Sequence, residues 1–168
     1  MFGLSRRTLI AVAAAFWLGF VAWLLLSDSD EEKIRARLDQ LAHVVGSSPD
    51  ENMAFRALRL KSKFEELLAL NVALAAPELP TTTGRTELTQ LAASASRLFG
   101  EFSVSIGDTE ITIDKKRREA NAVSAVTLTS SSTDYKREER RVRFTFHEYD
   151  GEWQVSRIDV EERRAASP

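Results

Sequence analysis

Thr8 to Leu26 reads TLIAVAAAFWLGFVAWLLL, nineteen residues without a charge. No other stretch limits the chain so strongly. As a helix it spans about 28 Å, close to a hydrocarbon core of about 30 Å. Arg6 and Arg7 precede it, and Asp28, Asp30, Glu31 and Glu32 follow before Lys33. The positive-inside rule then leaves residues 1–7 in the cytoplasm and sends the rest across the inner membrane, to a periplasmic or extracytoplasmic location. A cleaved signal peptide is the rival reading. Its cleavage site is missing: Ala11–Ala15 comes too early, and Ser27-Asp28-Ser29 matches poorly. Ser5 to Ile10 resembles a twin-arginine motif, but Phe16, Trp17, Phe20 and Trp23 make the following run more apolar than such signals usually are. The expectation is an uncleaved, single-pass signal-anchor.

The span is also two-faced. Ala11, Ala15, Gly19 and Ala22 fall on one arc, with Phe16, Phe20 and Trp23 opposite. Small residues let spans approach closely where lipid supplies no hydrophobic drive between helices. Alanine is common in spans, so chance is the competing explanation. Segregation of the aromatics favours a packing face, for another membrane protein or a second copy.

Beyond the span the chain is ordinary globular material. Removing Arg6 and Arg7 from the 23 basic residues leaves 21 against 25 acidic ones, a poor balance for a nucleic-acid binder. The absence of cysteine excludes disulfides, thiolate metal sites and thiol catalysis. The two histidines, His43 and His147, are far apart and no carboxylates cluster on a helix face, so neither a metal nor a cofactor is implied.

Ser29 and Glu32 fit a capping box, and Ile34, Leu38, Leu41 and Val45 form one stripe, with His43 opposite. Ser48-Pro49-Asp50-Glu51 reads as a second helix start, with Ser48 as cap and Met53, Ala57, Leu60, Phe64 and Leu67 buried. Phe55 and Leu58 lie on another side, either under a loop or as a contact patch. Asn71–Ala76 suggests a short edge strand and Thr81–Thr83 a linker. Gly84 caps a third helix through Leu88, Leu91, Ala95 and Leu98.

From Phe102 the period becomes two. Phe102, Val104 and Ile106 share one parity and Ile111 and Ile113 the other, so a bulge falls at Gly107-Asp108. Lys115-Lys116-Arg117-Arg118 fills a basic turn. A strand follows over 120–129, with Val126 and Leu128 on one face, and then a polar loop over 130–136. The charged run Lys136–Arg141 reads as solvated turn and edge. Next comes a strand with Val142, Phe144 and Phe146 inward, and Asp150-Gly151 turns into a last strand from Trp153. In that strand a bulge near Ser156-Arg157 brings Trp153, Val155, Ile158 and Val160 to the core; otherwise Arg157 and Asp159 share the face of Trp153. The fold class is α+β: a transmembrane helix at 8–26, then over 27–162 a cone-shaped domain of three helices on a bent, mainly antiparallel sheet, and a disordered tail at 163–168.

The segments FSVSIGDTEITID, EANAVSAVTLT and RVRFTFHEYDGEWQVSRIDVEE, with Gly84-Arg85 opening the helix before them, resemble the nuclear transport factor 2-like (SnoaL-like, cystatin-like cone) superfamily over roughly residues 30–161. The resemblance implies a sheet curled around a cone whose mouth holds a small apolar ligand in some members. Some are cyclases, dehydratases or isomerases, and others only bind or assemble. An anchored periplasmic cone occurs in a scaffold subunit of type IV secretion systems, and proteins of mycobacterial lipid-import loci are similar.

Catalysis in such a cone needs a positioned acid or base. Only Glu148 or Asp159 qualifies here, and no catalytic motif carries over. The candidate lining is Phe102, Val142, Phe144, Phe146, Glu148 and Trp153. The expected function is a non-enzymatic, anchored assembly or accessory subunit that binds protein. A tethered carrier of a small apolar ligand or lipid is the alternative, and an isomerase or dehydratase comes last.

Overall fold

The computed structural model describes residues 29–47, 51–132 and 136–161. The expected span at 8–26 with Ala11, Ala15, Gly19 and Ala22 lies outside them, as do Ser48–Asp50 and the tail at 163–168. Among the described residues no helix is long and apolar enough to cross a membrane.

The chain divides after Lys33 into two units. Of the first, Ser29–Lys33 is described, the opening turn of helix α1 (Asp30–Val45). Its capping box forms: the Ser29 amide donates to Glu32 Oε2 at 2.8 Å, and the Glu32 amide to Ser29 Oγ at 3.2 Å. In the second unit α1 buries Ile34, Leu38, Leu41, Ala42 and Val44 and leaves His43 exposed.

Helix α2 (Met53–Leu67) starts later than its sequence suggests. Asn52 is the cap, its Oδ1 accepting the Ala54 amide at 2.8 Å. Glu51 is thereby free to pair with Arg56 and Arg59. The stripe also shifts by a residue: Met53 is exposed, while Arg56 is buried with Leu60, Phe64 and Leu67. Asn52→Ala is expected to cost about 1 kcal/mol in urea unfolding, and Asn52→Asp far less.

Six strands form one sheet in the order β2-β1-β6-β5-β4-β3. They are β1 (Leu68–Ala76), β2 (Leu79–Thr83), β3 (Phe102–Asp114), β4 (Glu119–Ser130), β5 (Arg137–Tyr149) and β6 (Glu152–Val160). The pairing is antiparallel except for β1 and β6, which run parallel. Two expectations change here. The segment 71–76 belongs to a longer, interior strand, and the expected linker at Thr81–Thr83 is part of the edge strand β2. Pro80 is tolerated there because an edge strand has one side without ladder bonds.

Both bulges form. Pairing slips between Gly107 and Glu110 of β3, where Asp108 has φ 29°. In β6, Arg157 faces Thr145 and Val155 faces Phe146, so Ser156 is the extra residue and its hydroxyl donates to the Thr145 carbonyl at 3.1 Å. Trp153 and Val155 are therefore buried and Ile158 and Val160 partly so, all against the same core. Asp150 and Gly151, at φ 51° and 86°, make the tight turn that joins β5 to β6.

Helix α3 (Arg85–Phe99) follows Gly84. It is anchored where Arg85 Nη2 donates to the Leu68 carbonyl at 2.5 Å. Its buried residues are Leu88 and Ala93, and Leu98 is exposed rather than in the stripe. The three helices and the inner face of the mixed sheet share one apolar core.

Candidate functional site

The expected lining is the natural place to look for a ligand chamber, and four of its residues are buried in the core. Phe146 is 0% exposed, and Val142, Phe144 and Trp153 are buried with it among Leu60, Phe64, Val72 and Val155. Across the sheet Phe146 faces Ala120 on β4 and Val155 on β6, small partners that make room for its ring. Phe102 is buried elsewhere. Its ring lies edge-on to Phe99, with centroids 5.9 Å apart, and the Arg56 guanidinium sits 5.3 Å from its centroid. Glu148 has the inward parity but sits half-buried at the strand end. There its Oε2 meets Arg118 Nε at 3.3 Å and its amide donates to the Arg118 carbonyl. It therefore joins the basic turn.

The other ionisable candidates face outward. Arg157 Nε donates to Asp159 at 2.8 Å on the outer side of the sheet. His147 lies beside Tyr149, ring centroids 6.3 Å apart. Lys115, Lys116, Arg117 and Arg118 are exposed on their turn, where Asp114 Oδ1 accepts the Lys116 and Arg117 amides at 3.0 and 3.2 Å. Adjacent strand ends carry Glu119, Glu148, Asp150 and Glu152, so this end of the sheet has mixed charge.

A solvent-facing cleft of about 480 Å³ lies between α1 and the β3 bulge. Arg35, Leu38, Asp39, Ile106 and residues 107–110 line it, and none of the expected lining residues does. Thr109 Oγ1 and Ser124 Oγ meet at 2.9 Å beside it.

Two charged clusters escape a reading by stripe and parity. In the first, Arg56 is 1% exposed. Its Nη1 donates to the Gly46 carbonyl and its Nη2 to that of Val45, each at 2.7 Å, and Nη2 also reaches the Ala92 carbonyl at 3.2 Å. Arg59 donates to the Val44 carbonyl at 2.7 Å and to both Glu51 oxygens, at 2.7 and 2.9 Å. The bonds to Val44, Val45 and Gly46 satisfy carbonyls that the C-terminus of α1 leaves without partners. Burial pushes the Arg56 pKa down, and the hydrogen bond it donates to Glu51 works against that. The Glu51 carboxyl is held below the ordinary range, first by its hydrogen bond from Arg59.

The second cluster lies on β5, which starts at Arg137 and so takes in most of the charged run expected as turn and edge. Glu138 and Arg140 continue the inward parity of Val142. Arg140 is held by Glu138 at 2.6 Å and Glu78 at 2.7 Å. Those hydrogen bonds, the one to Glu138 first, raise its pKa.

The geometry defines a class of fold: three helices on a six-stranded mixed sheet, the cystatin-like fold seen in nuclear transport factor 2-like proteins. Solved structures agree. A nuclear transport factor 2-like protein with a cystatin-like fold from Novosphingobium aromaticivorans superposes with TM-score 0.58 at 16% identity, covering 93% of this chain and 88% of that one. An uncharacterised protein with a cystatin-like fold from Caulobacter vibrioides gives 0.60 at 12% identity, over 77% and 87% of the two chains. A nuclear transport factor 2-like protein from Cytophaga hutchinsonii gives 0.59 at 14%, over 79% and 98%. No family model matches the sequence, and no curated protein does. At these identities the likeness is one of fold.

Proposed function

We propose that the chain is a single-pass, membrane-anchored, non-enzymatic assembly subunit that presents its cone outside the inner membrane and binds protein. The observation that carries the reading is an interior filled by the cone's own side chains, Phe144, Phe146 and Trp153 above all. Large apolar side chains stand on the helix exterior instead: Phe55 is 71% exposed and Leu58 65%. The uncharged run at 8–26, with Ala15 and Gly19 on one arc, supplies the anchor and its packing face. The test is Ala15→Leu with Gly19→Leu. The double variant is expected to disperse the detergent-extracted complex in sedimentation while the circular dichroism of the domain stays as in the wild type. Unchanged sedimentation counts against the reading.

The tethered carrier is the second reading. Ile106, Val126 and Ile158 are only half-buried at the edge of the core, which leaves apolar surface for a ligand. It predicts one lipid species co-purifying in stoichiometric amount, measured by mass spectrometry of the organic extract.

A further inference from the structure

We infer that the cleft between α1 and the β3 bulge binds a small organic cation, a primary alkylammonium on a short apolar chain. Its volume, about 480 Å³, is that of a small-molecule site. Phe144, Phe146 and Trp153 have no part in its wall, so the filled interior does not close it. The wall itself is held from below. Pairing of β3 with β4 slips between Gly107 and Glu110, and Asp108 takes a left-handed backbone at φ 29°. Ser124 faces inward on β4 beside the slip and is 1% exposed. A hydroxyl buried there costs free energy unless it is bonded, and Thr109 Oγ1 meets it at 2.9 Å. Among the described residues only Arg56 and Ser124 are buried polar side chains. Arg56 caps α1, and Ser124 fixes Thr109 in the wall, with Asp108 and Glu110 on either side of it.

Floor and rim together select the ligand. Leu38, 1% exposed, and half-buried Ile106 give the cleft an apolar floor. On its rim Asp39, Asp108 and Glu110 stand against one guanidinium, that of Arg35. Among the described residues none of the three carboxylates has a hydrogen-bond or ion-pair partner, and Arg35 pairs with none of them. The strand β3 carries no Lys or Arg. Arg141 and Arg143, level with the bulge, stand two strands away on β5. The cleft is therefore short of positive charge.

A bare metal ion does not suit it, because among the described residues no three such side chains are placed to hold one. Carboxylates set apart around an apolar floor suit an ammonium instead. Its three N–H donors reach the rim, and its chain covers Leu38 and Ile106. The same chemistry has two sources, a free amine and the side chain of a protein lysine.

The test titrates the full-length, isotope-labelled protein in phosphatidylcholine nanodiscs with n-butylammonium chloride at constant ionic strength, and follows the backbone amides by nuclear magnetic resonance. Saturable shifts are expected at residues 107–110 and at Leu38 and Asp39. Methylammonium should bind about tenfold more weakly, because it leaves the apolar floor uncovered. Asp39→Asn with Asp108→Asn is expected to weaken n-butylammonium about tenfold. Asparagine accepts a positive φ, and both side chains are exposed, so the thermal melt should not move. Absent or unsaturable shifts overturn the inference. So do equal shifts with butyrate, or an affinity that the double variant leaves unchanged. A lysine with both ends blocked separates the sources. Binding as tight as that of n-butylammonium supports the site and makes a partner's lysine its ligand; binding tenfold weaker supports it and makes the ligand a free amine. None of these results depends on the span, so failure here leaves the anchored assembly to its own test.

Discussion

Arg56→Ala is expected to be the most damaging single substitution in the domain, lowering its stability by about 4 kcal/mol. The guanidinium is 1% exposed and joins three helices through the carbonyls of Val45, Gly46 and Ala92. Truncation removes the buried donors to those carbonyls and leaves that of Val45 without its Arg56 partner, removes the cation from the Phe102 ring, and opens a void between α1, α2 and α3. Lysine keeps the charge but not the fork, so Arg56→Lys should recover only part of the loss. Urea unfolding followed by circular dichroism reads both. A loss below 1 kcal/mol would mean that the carbonyls find other donors.

The same cluster sets an acid limit. Because the folded Glu51 carboxyl is held below its ordinary range, chiefly by Arg59, it binds a proton less readily folded than unfolded. Its contribution is complete above the ordinary carboxylate pKa and is lost as pH falls through the lower, folded value. Glu51→Gln should therefore flatten the acid side of the stability profile and leave its neutral side parallel to the wild type.

Phe146→Ala comes second, with an expected loss of about 3 kcal/mol. The ring is wholly buried between Ala120 and Val155, and neither small neighbour fills the space it leaves. The variant also bears on the choice between scaffold and carrier. A void lined by apolar side chains stays dry and takes up small apolar probes. If the variant binds benzene or xenon and the wild type does not, the native ring is what fills the cone. Similar uptake by both would mean that space exists without the substitution, and would favour the carrier.

Most of the fold is legible in the sequence because period and turn chemistry agree there. The β3 bulge follows from the parity change between Ile106 and Ile111 across a glycine, and the β5–β6 hairpin from Asp150-Gly151. Local signals mislead where a competitor lies nearby. Ser48-Pro49 looks like a helix start, yet Asn52 caps α2 and Glu51 turns to two arginines. The strand β2 has little apolar pattern of its own and forms because β1 offers it a free edge. Arg56 occupies a position on the stripe of Leu60, Phe64 and Leu67, and that is its one trace in the sequence. Its acceptors are backbone carbonyls, which no side-chain pattern reports. Glu138 and Arg140 continue the parity of Val142, but their charged run reads as solvated turn and edge until the strand is extended past its apolar part.

The sheet order has a consequence for timing. The pair β1–β2 touches the meander of β3, β4 and β5 only through β6, the last strand to be synthesised. Leu68 must wait for Val155, and until then the two halves of the sheet have no ladder between them. Such a long-range parallel closure is slow, because loop entropy is spent before any contact rewards it. The nine residues of β6 thus act as a keystone: a nascent chain stalled short of Trp153 holds an apolar half-core open, and whatever guards the chain as it emerges must stay until β6 has paired.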